Sequence, residues 1–220
     1  LIYHGFTIGG KTHNLFLVKI LLNIYLILIL GVSFAGNSIR REDQEHPNLK
    51  LFRNIMLEEI NFVRTHPAEY AEQRLRDSKE KGMDNGAYEY LKKVKPAGEL
   101  KLNELLNSIS MNYAQFMARK DEFSHTANGT PFTRAKKAGY TYKAMGENIV
   151  CGTDPQLNVY ENPRYAAVEF VKMLLIDRDV KDLGHRHTLL SPLFKSVGFG
   201  FGHNPKSYCV NYVVQDFGNP

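Results

Sequence analysis

Val197-Gly-Phe-Gly-Phe-Gly202 and Tyr208-Cys-Val-Asn-Tyr-Val-Val-Gln-Asp-Phe217 set the fold class. Both runs alternate or string together β-branched and aromatic residues as strands do, and His203-Asn204-Pro205-Lys206 between them reads as a hairpin loop. The chain ahead of them keeps a different period. Phe52, Ile55, Met56, Ile60 and Val63 recur at three- and four-residue steps, as do Leu105, Ile109, Tyr113, Phe116 and Met117; each set marks one face of an amphipathic helix. Thr65-His66-Pro67 breaks the first helix and opens a further turn, because proline suits a first helical position. Thr130-Pro131 through Gly139 carries an N-cap, an N1 proline and a closing glycine, so a short helix is expected there. Ala166 to Leu175 is apolar on most sides and reads as a buried helix. Residues 82–98 are lysine-rich and weakly periodic, a surface excursion with about one helical turn. Helices first and strands late predict an α+β layered domain rather than a doubly wound sheet.

The chain is 220 residues long with 43% hydrophobic and 23% charged residues, enough for one domain with a sizeable core. Residues 20–30 are almost purely apolar, follow Lys11 and Lys19, and lead to Ser33-Phe34-Ala35. A basic flank, an apolar run and small residues before a cut after Ala35 describe a secretory signal peptide over 1–35, with Leu1 to Asn14 as an over-extended start. An uncleaved anchor is the alternative, since the apolar residues resume on both sides of Lys19. Residues 36–47 are polar and unpatterned and read as a linker, which leaves 48–220 as the domain. Without residues 1–35 the chain holds 26 basic against 23 acidic residues. That balance is too mild to argue for nucleic acid or an anionic membrane, and cleavage would leave no stable membrane insertion. Cys151 and Cys209 are both in the exported part, where a disulfide is permitted; two buried small hydrophobes are the other reading. Asn128-Gly129-Thr130 is an N-glycosylation sequon in a turn, followed at once by Pro131.

The residues able to do chemistry stand among glycines: Ser124-His125-Thr126, Gly146-Glu147-Asn148, Gly184-His185-Arg186-His187 and Gln215-Asp216-Phe217-Gly218. Imidazoles and carboxylates this far apart meet only if a tertiary fold gathers them, as in a metal or polar binding cleft. Each also has a plainer reading. His125 can be a hydrogen-bonding group in a turn, Glu147 can hold backbone N–H groups at a helix end, and His185-Arg186-His187 can be an exposed basic turn. Other chemistries lack their signatures. No P-loop, dinucleotide fingerprint, nucleophile elbow or His-Glu-x-x-His helix occurs, and the two cysteines lack paired zinc spacing.

Several ordered motifs together resemble the CAP superfamily of secreted proteins, the SCP domain. Met56-Leu-Glu-Glu-Ile-Asn61-Phe-Val-Arg64 is similar to its opening helix, and Leu102 through Ala114 to its second. Ser124-His125-Thr126 with Arg134 and Gly139-Tyr140, then Gly146-Glu147-Asn148-Ile149, resembles its most recognisable stretch. Gly184-His185-Arg186 with Leu189-Leu190, Phe194 and Val197-Gly198 resembles the bacterial and protist version. The likeness runs from about Asn48 to Gly218 and implies a three-layer α-β-α sandwich whose cleft holds two histidines and two acids. His125, Glu147 and His185 match three of those positions. For the fourth, Met173-Leu174-Leu175 stands where the family has its acid; Glu169 comes a turn too early, and Asp177 or Asp179 is left to substitute. The resemblance implies a zinc or other divalent ion on His125, Glu147, His185 and Asp177, and sterols or fatty acids, or an extracellular protein, as partners. A secreted, non-enzymatic binding module is the reading it favours. A metal-dependent peptidase with Glu147 or Asp177 as general base is the rival. The absence of tryptophan departs from many relatives and leaves Tyr and Phe to fill the core.

Overall fold

The structure is a computed structural model and describes residues 45–178 and 180–220. The expected signal peptide, most of the expected linker and Asp179 lie outside the described residues. His46–Pro220 forms a unit of its own.

The first helix, α1, spans Pro47–Thr65, so helix begins on the last residue of the expected linker. Phe52, Ile55, Met56, Ile60 and Val63 are all buried on one face, as their spacing requires. The chain breaks at His66, and Pro67 opens α2 (Pro67–Tyr70), which runs through a π turn at Ala71–Leu75 into α3 (Arg76–Glu80). The excursion over 82–98 holds one short helix, α4 (Ala87–Leu91). Strand β1 (Lys101–Leu102) leads into α5 (Glu104–Lys120), whose cap is Asn103 accepting from the Leu106 N–H. The buried stripe of α5 is Leu106, Ile109, Ser110, Tyr113, Ala114 and Met117. Leu105, expected on that face, is 37% exposed. Neighbours in a helix stand about 100° apart, so only one of Leu105 and Leu106 can lie mid-stripe, and Leu106 is the one that meets the sheet.

Helix α6 (Pro131–Lys137) has the expected Thr130 cap. Then come β2 (Ala144–Gly152), a 3₁₀ turn at Pro155–Leu157, α7 (Pro163–Ile176), α8 (Gly184–Leu190), β3 (Ser196–His203) and β4 (Asn211–Asn219). The strand order is β1-β3-β4-β2, with β1 parallel to β3 and the other pairs antiparallel. Two local expectations are corrected. Gly146-Glu147-Asn148-Ile149 is not a turn or a helix end but the middle of β2, an edge strand. The second late strand begins at Asn211 rather than Tyr208, because Val210 takes a left-handed φ of 61° that breaks the extended run, and Tyr208 is 85% exposed.

The sheet's two faces divide the core. Val197, Phe199, Phe201, Val213 and Phe217 join Phe52, Met56, Ile60, Phe170 and Leu174 of α1 and α7 in one cluster. Ile149, Tyr212 and Val214 join Tyr113, Ala114 and Met117 of α5 in another. Residues of opposite parity on each strand thus serve opposite helical layers, which makes the molecule the expected α-β-α sandwich. Phenylalanine and tyrosine fill the space in the absence of tryptophan.

Candidate functional site

Strand β2 places the candidate site. Its alternation sends Glu147 toward the α5 layer, while the next residue, Asn148, reaches the carbonyl of His185 at 3.2 Å on the α7–α8 side. The Glu147 side chain is almost fully buried, yet it is fully partnered. His125 Nδ1 donates to Oε1 at 2.7 Å, and the Arg134 guanidinium donates to Oε2. Arg134 also donates to the His125 carbonyl at 3.1 Å and to the Gly129 carbonyl. Its carbon Cζ lies 3.4 Å over the centre of the Tyr113 ring, a cation–π seat. Tyr113 in turn donates its hydroxyl to the Ser124 carbonyl and accepts from the Ala127 N–H at 3.2 Å. The loop carrying His125 is therefore pinned from both sides, while the imidazole itself stays half exposed.

Directly across the ladder from Glu147 is Asp216 of β4. It has no solvent exposure, accepts from Ser110 Oγ at 2.7 Å through Oδ2, and leaves Oδ1 without a partner among the described residues. Burial first, and the Glu147 charge second, push its carboxyl up to about 7.

The second pair belongs to the other layer. Helix α7 ends at Asp177, which takes a left-handed φ of 54° and turns its buried side chain to the start of α8. There Asp177 Oδ1 accepts from His185 Nδ1 at 2.7 Å, and Oδ2 accepts from the backbone N–H groups of His185 and Arg186 at 3.1 and 3.2 Å. Arg186 is a structural tie rather than part of an exposed basic turn: it is buried and donates to the carbonyls of Leu175, Ile176 and Asn85. His187 faces away and packs edge-on against Tyr90. Beside the His185–Asp177 pair opens a cavity of about 420 Å³. Ile149, Val150, Met173, Leu174, Ile176 and Val180 make it mainly apolar, and His185, Asp177 and Arg178 are the polar residues of its lining. Phe123 and Cys151 complete its wall, and Cys151 is bonded to Cys209.

The four expected residues thus meet as two pairs, His125–Glu147 and His185–Asp177, one from each helical layer. Of the two candidates for the fourth acid, Asp177 pairs with His185, and Asp179 lies outside the described residues. Among the described residues no three of His, Cys, Asp or Glu gather as a ligand set. The donor chemistry nevertheless suits a divalent ion in one specific way. Each carboxylate holds an Nδ1–H, so each ring keeps Nε2 as its open nitrogen, the arrangement by which outer carboxylates orient metal-binding histidines. Both carboxylates are committed to other donors, so the protein's own ligands would be two nitrogens. Sequence reasoning expected an apolar groove adjoining the cleft without placing its walls, and missed the Tyr113 platform under Arg134. Nothing local in Phe123 or Met173 signals that α7 and β2 leave a space between them.

The model of the CAP family, described as the cysteine-rich secretory protein family, matches residues 57–217. The uncharacterised protein YkwD of Bacillus subtilis strain 168 is 28% identical over 116 residues, which is 52% of this chain and 39% of that protein. The match therefore spans about two-fifths of that relative's length. An extracellular protein containing an SCP domain from Bacillus anthracis strain Ames is similar in structure at TM-score 0.40 and 21% identity, over 56% of this chain and 35% of that one. An outer surface protein of Borrelia burgdorferi is similar at TM-score 0.44 and 19% identity, over 65% and 95%. Venom allergen-like protein 4 of Schistosoma mansoni is similar at 0.39 and 15%, over 76% and 88%. With the family model spanning α1 to β4, this chain belongs to the CAP family, the cysteine-rich secretory protein family.

Proposed function

We propose that the chain is an exported, non-enzymatic binding module whose cavity beside β2 takes an apolar ligand of the sterol or fatty-acid class. The observation that carries this reading is the apolar space of about 420 Å³ with His185, Asp177 and Arg178 as the charged and polar residues of its lining. Apolar walls gain from removing a hydrocarbon from water, and a few fixed polar groups orient its head. His185 and Arg178 would face a carboxylate or hydroxyl head, while Leu174, Ile149 and Val180 enclose the tail. The Cys151–Cys209 bond supports export, since such bonds persist in oxidising compartments. A zinc or similar ion on the Nε2 atoms of His125 and His185, oriented through Glu147 and Asp177, is the second part of the reading. When bound, it would add a Lewis-acidic charge beside His185. An extracellular protein would be met by the surrounding surface.

The test is displacement of a fluorescent fatty acid from the full chain, beside the M173W variant, which places a larger ring at the cavity wall. Saturable binding that falls about tenfold in M173W is expected; binding unchanged by the ring places the ligand elsewhere. In parallel, zinc is titrated by calorimetry into wild type and the His125→Ala/His185→Ala double variant. Equal zinc uptake by both removes the histidine part of the reading. Peptide cleavage abolished by a chelator would replace the module with a hydrolase.

A further inference from the structure

A second pocket, separate from the cleft, opens where the C-terminal end of α5 meets the β3–β4 hairpin. It has a volume of about 270 Å³ and is lined by Gln115 and Arg119 of α5, by Tyr160, and by Phe201 and His203 of β3. None of these residues lines the apolar cavity. Tyr160 packs edge-on against Phe201 at 5.4 Å, and His203 stacks on Phe201 at 6.3 Å, so one side of the pocket is an aromatic wall. Arg119 is exposed and makes no hydrogen bond or ion pair among the described residues. The carboxylate nearest to it in sequence, Asp121, is occupied by the Tyr208 N–H at 2.8 Å and the Tyr212 hydroxyl at 2.9 Å.

The proton on His203 can be placed from its neighbour. Asn211 uses its amide N–H groups on the carbonyls of Gly152 and Asp154, at 3.3 and 3.1 Å. Its oxygen Oδ1 therefore faces His203, 2.8 Å from Nδ1, and must accept. Nδ1 carries the proton, and the neutral ring keeps its lone pair on Nε2. The pocket accordingly pairs a free guanidinium, which wants an anion, with an imidazole acceptor, which wants a hydroxyl donor. A simple carboxylate or phosphate satisfies the first and has no proton for the second.

We infer that this pocket binds a small sugar acid, its carboxylate on Arg119, a ring hydroxyl donating to His203, and its C–H face against Tyr160. Guanidinium and carboxylate make charge-assisted, geometrically specific bonds. The volume suits one ring rather than a polymer. Gln115 supplies a further amide at the same wall.

The experiment titrates the full chain with D-glucuronate at pH 7.5 and low salt, followed by calorimetry and by amide chemical shifts. D-Glucose and acetate are the comparison ligands, and R119A and H203A the variants. Saturation by glucuronate in the millimolar range is expected, with glucose and acetate at least about tenfold weaker. R119A and H203A should each weaken glucuronate about tenfold or more. R119A alters only an exposed side chain, so its melting temperature should match wild type and its loss of binding reports the contact. Acetate binding as tightly as glucuronate would reduce the pocket to a plain anion site and overturn the assignment. So would no saturation at tens of millimolar, or an unchanged affinity in R119A.

Discussion

Asp216 is a buried acid whose placement costs the fold stability. It is a carboxyl without solvent, opposite a second carboxylate across the ladder, with one oxygen bonded to Ser110 and the other without a partner among the described residues. Its folded value near 7 lies above the ordinary carboxylate range, so the neutral form favours the folded state. The sign follows from linkage: this contribution is complete at acid pH below the unfolded value and is lost as pH rises through 7. Each pH unit between the unfolded value and the folded value costs about 1.4 kcal/mol, and above the folded value nothing more is lost. D216N cannot ionise and keeps an oxygen for Ser110. Its melting temperature relative to wild type should therefore rise by about 4 °C between pH 6 and pH 8. A difference that stays flat over that interval would show that Asp216 does not titrate there. Asn61 and Arg64 were legible as a family motif in the opening helix, but their partners were not. Asn61 exchanges hydrogen bonds with both the N–H and the carbonyl of Leu100, at 2.8 and 3.0 Å. Arg64 crosses to the carbonyls of Gly98, Leu189 and Ser191, and burial lowers its guanidinium to about 10.

Among the elements, β3 and α5 pack backbone against backbone, and glycine makes that possible. A Cβ on Gly198, Gly200 or Gly202 would come within 2.1–2.2 Å of the backbone of Leu106, Ser110 or Ala114. These contacts fall on successive turns of α5, so the alternating glycines of β3 form a groove in which the helix axis lies. The obstacle is backbone, which cannot rotate aside as a side chain can. G200A should cost about 3 kcal/mol or more of stability, from overpacking with no room to relax, measured by urea denaturation. A loss below about 1 kcal/mol would mean that α5 can lift from the sheet. The strand character of this run was legible from its period; the reason for glycine at every second position needed the helix in place. Strand β2 was the reverse case. Its glycines and polar residues hid a strand, because an edge strand that carries Glu147 toward one layer and Asn148 toward the other has no apolar alternation to detect.

Across the whole molecule, the Cys151–Cys209 bond ties the end of β2 to the loop before β4, closing a separation of 58 residues at the wall of the apolar cavity. A loop of that length makes the bond worth about 4 kcal/mol in the chain-entropy account. Replacing both cysteines by serine should lower stability by about 2–4 kcal/mol in equilibrium unfolding, and ligand affinity should fall as the wall loosens. Unchanged stability would mean that the β2–β4 ladder alone sets the distance. The residues read in order were enough for the layered α+β class, the five-residue face of α1, the Thr130-capped helix, the late hairpin and the family, because period and capping are local properties that a few neighbouring residues express. They also named His125, Glu147, His185 and Asp177 as residues to watch. The packed molecule was needed to show that these form two carboxylate–imidazole pairs, that Asp216 lies against Glu147, and that the two cysteines are bonded. It alone placed an apolar space between α7 and β2 and Arg119 in one pocket with His203. Those features depend on which residues distant in sequence share a face of the sheet, and that is settled by how the helical layers pack, not by any one segment's own pattern.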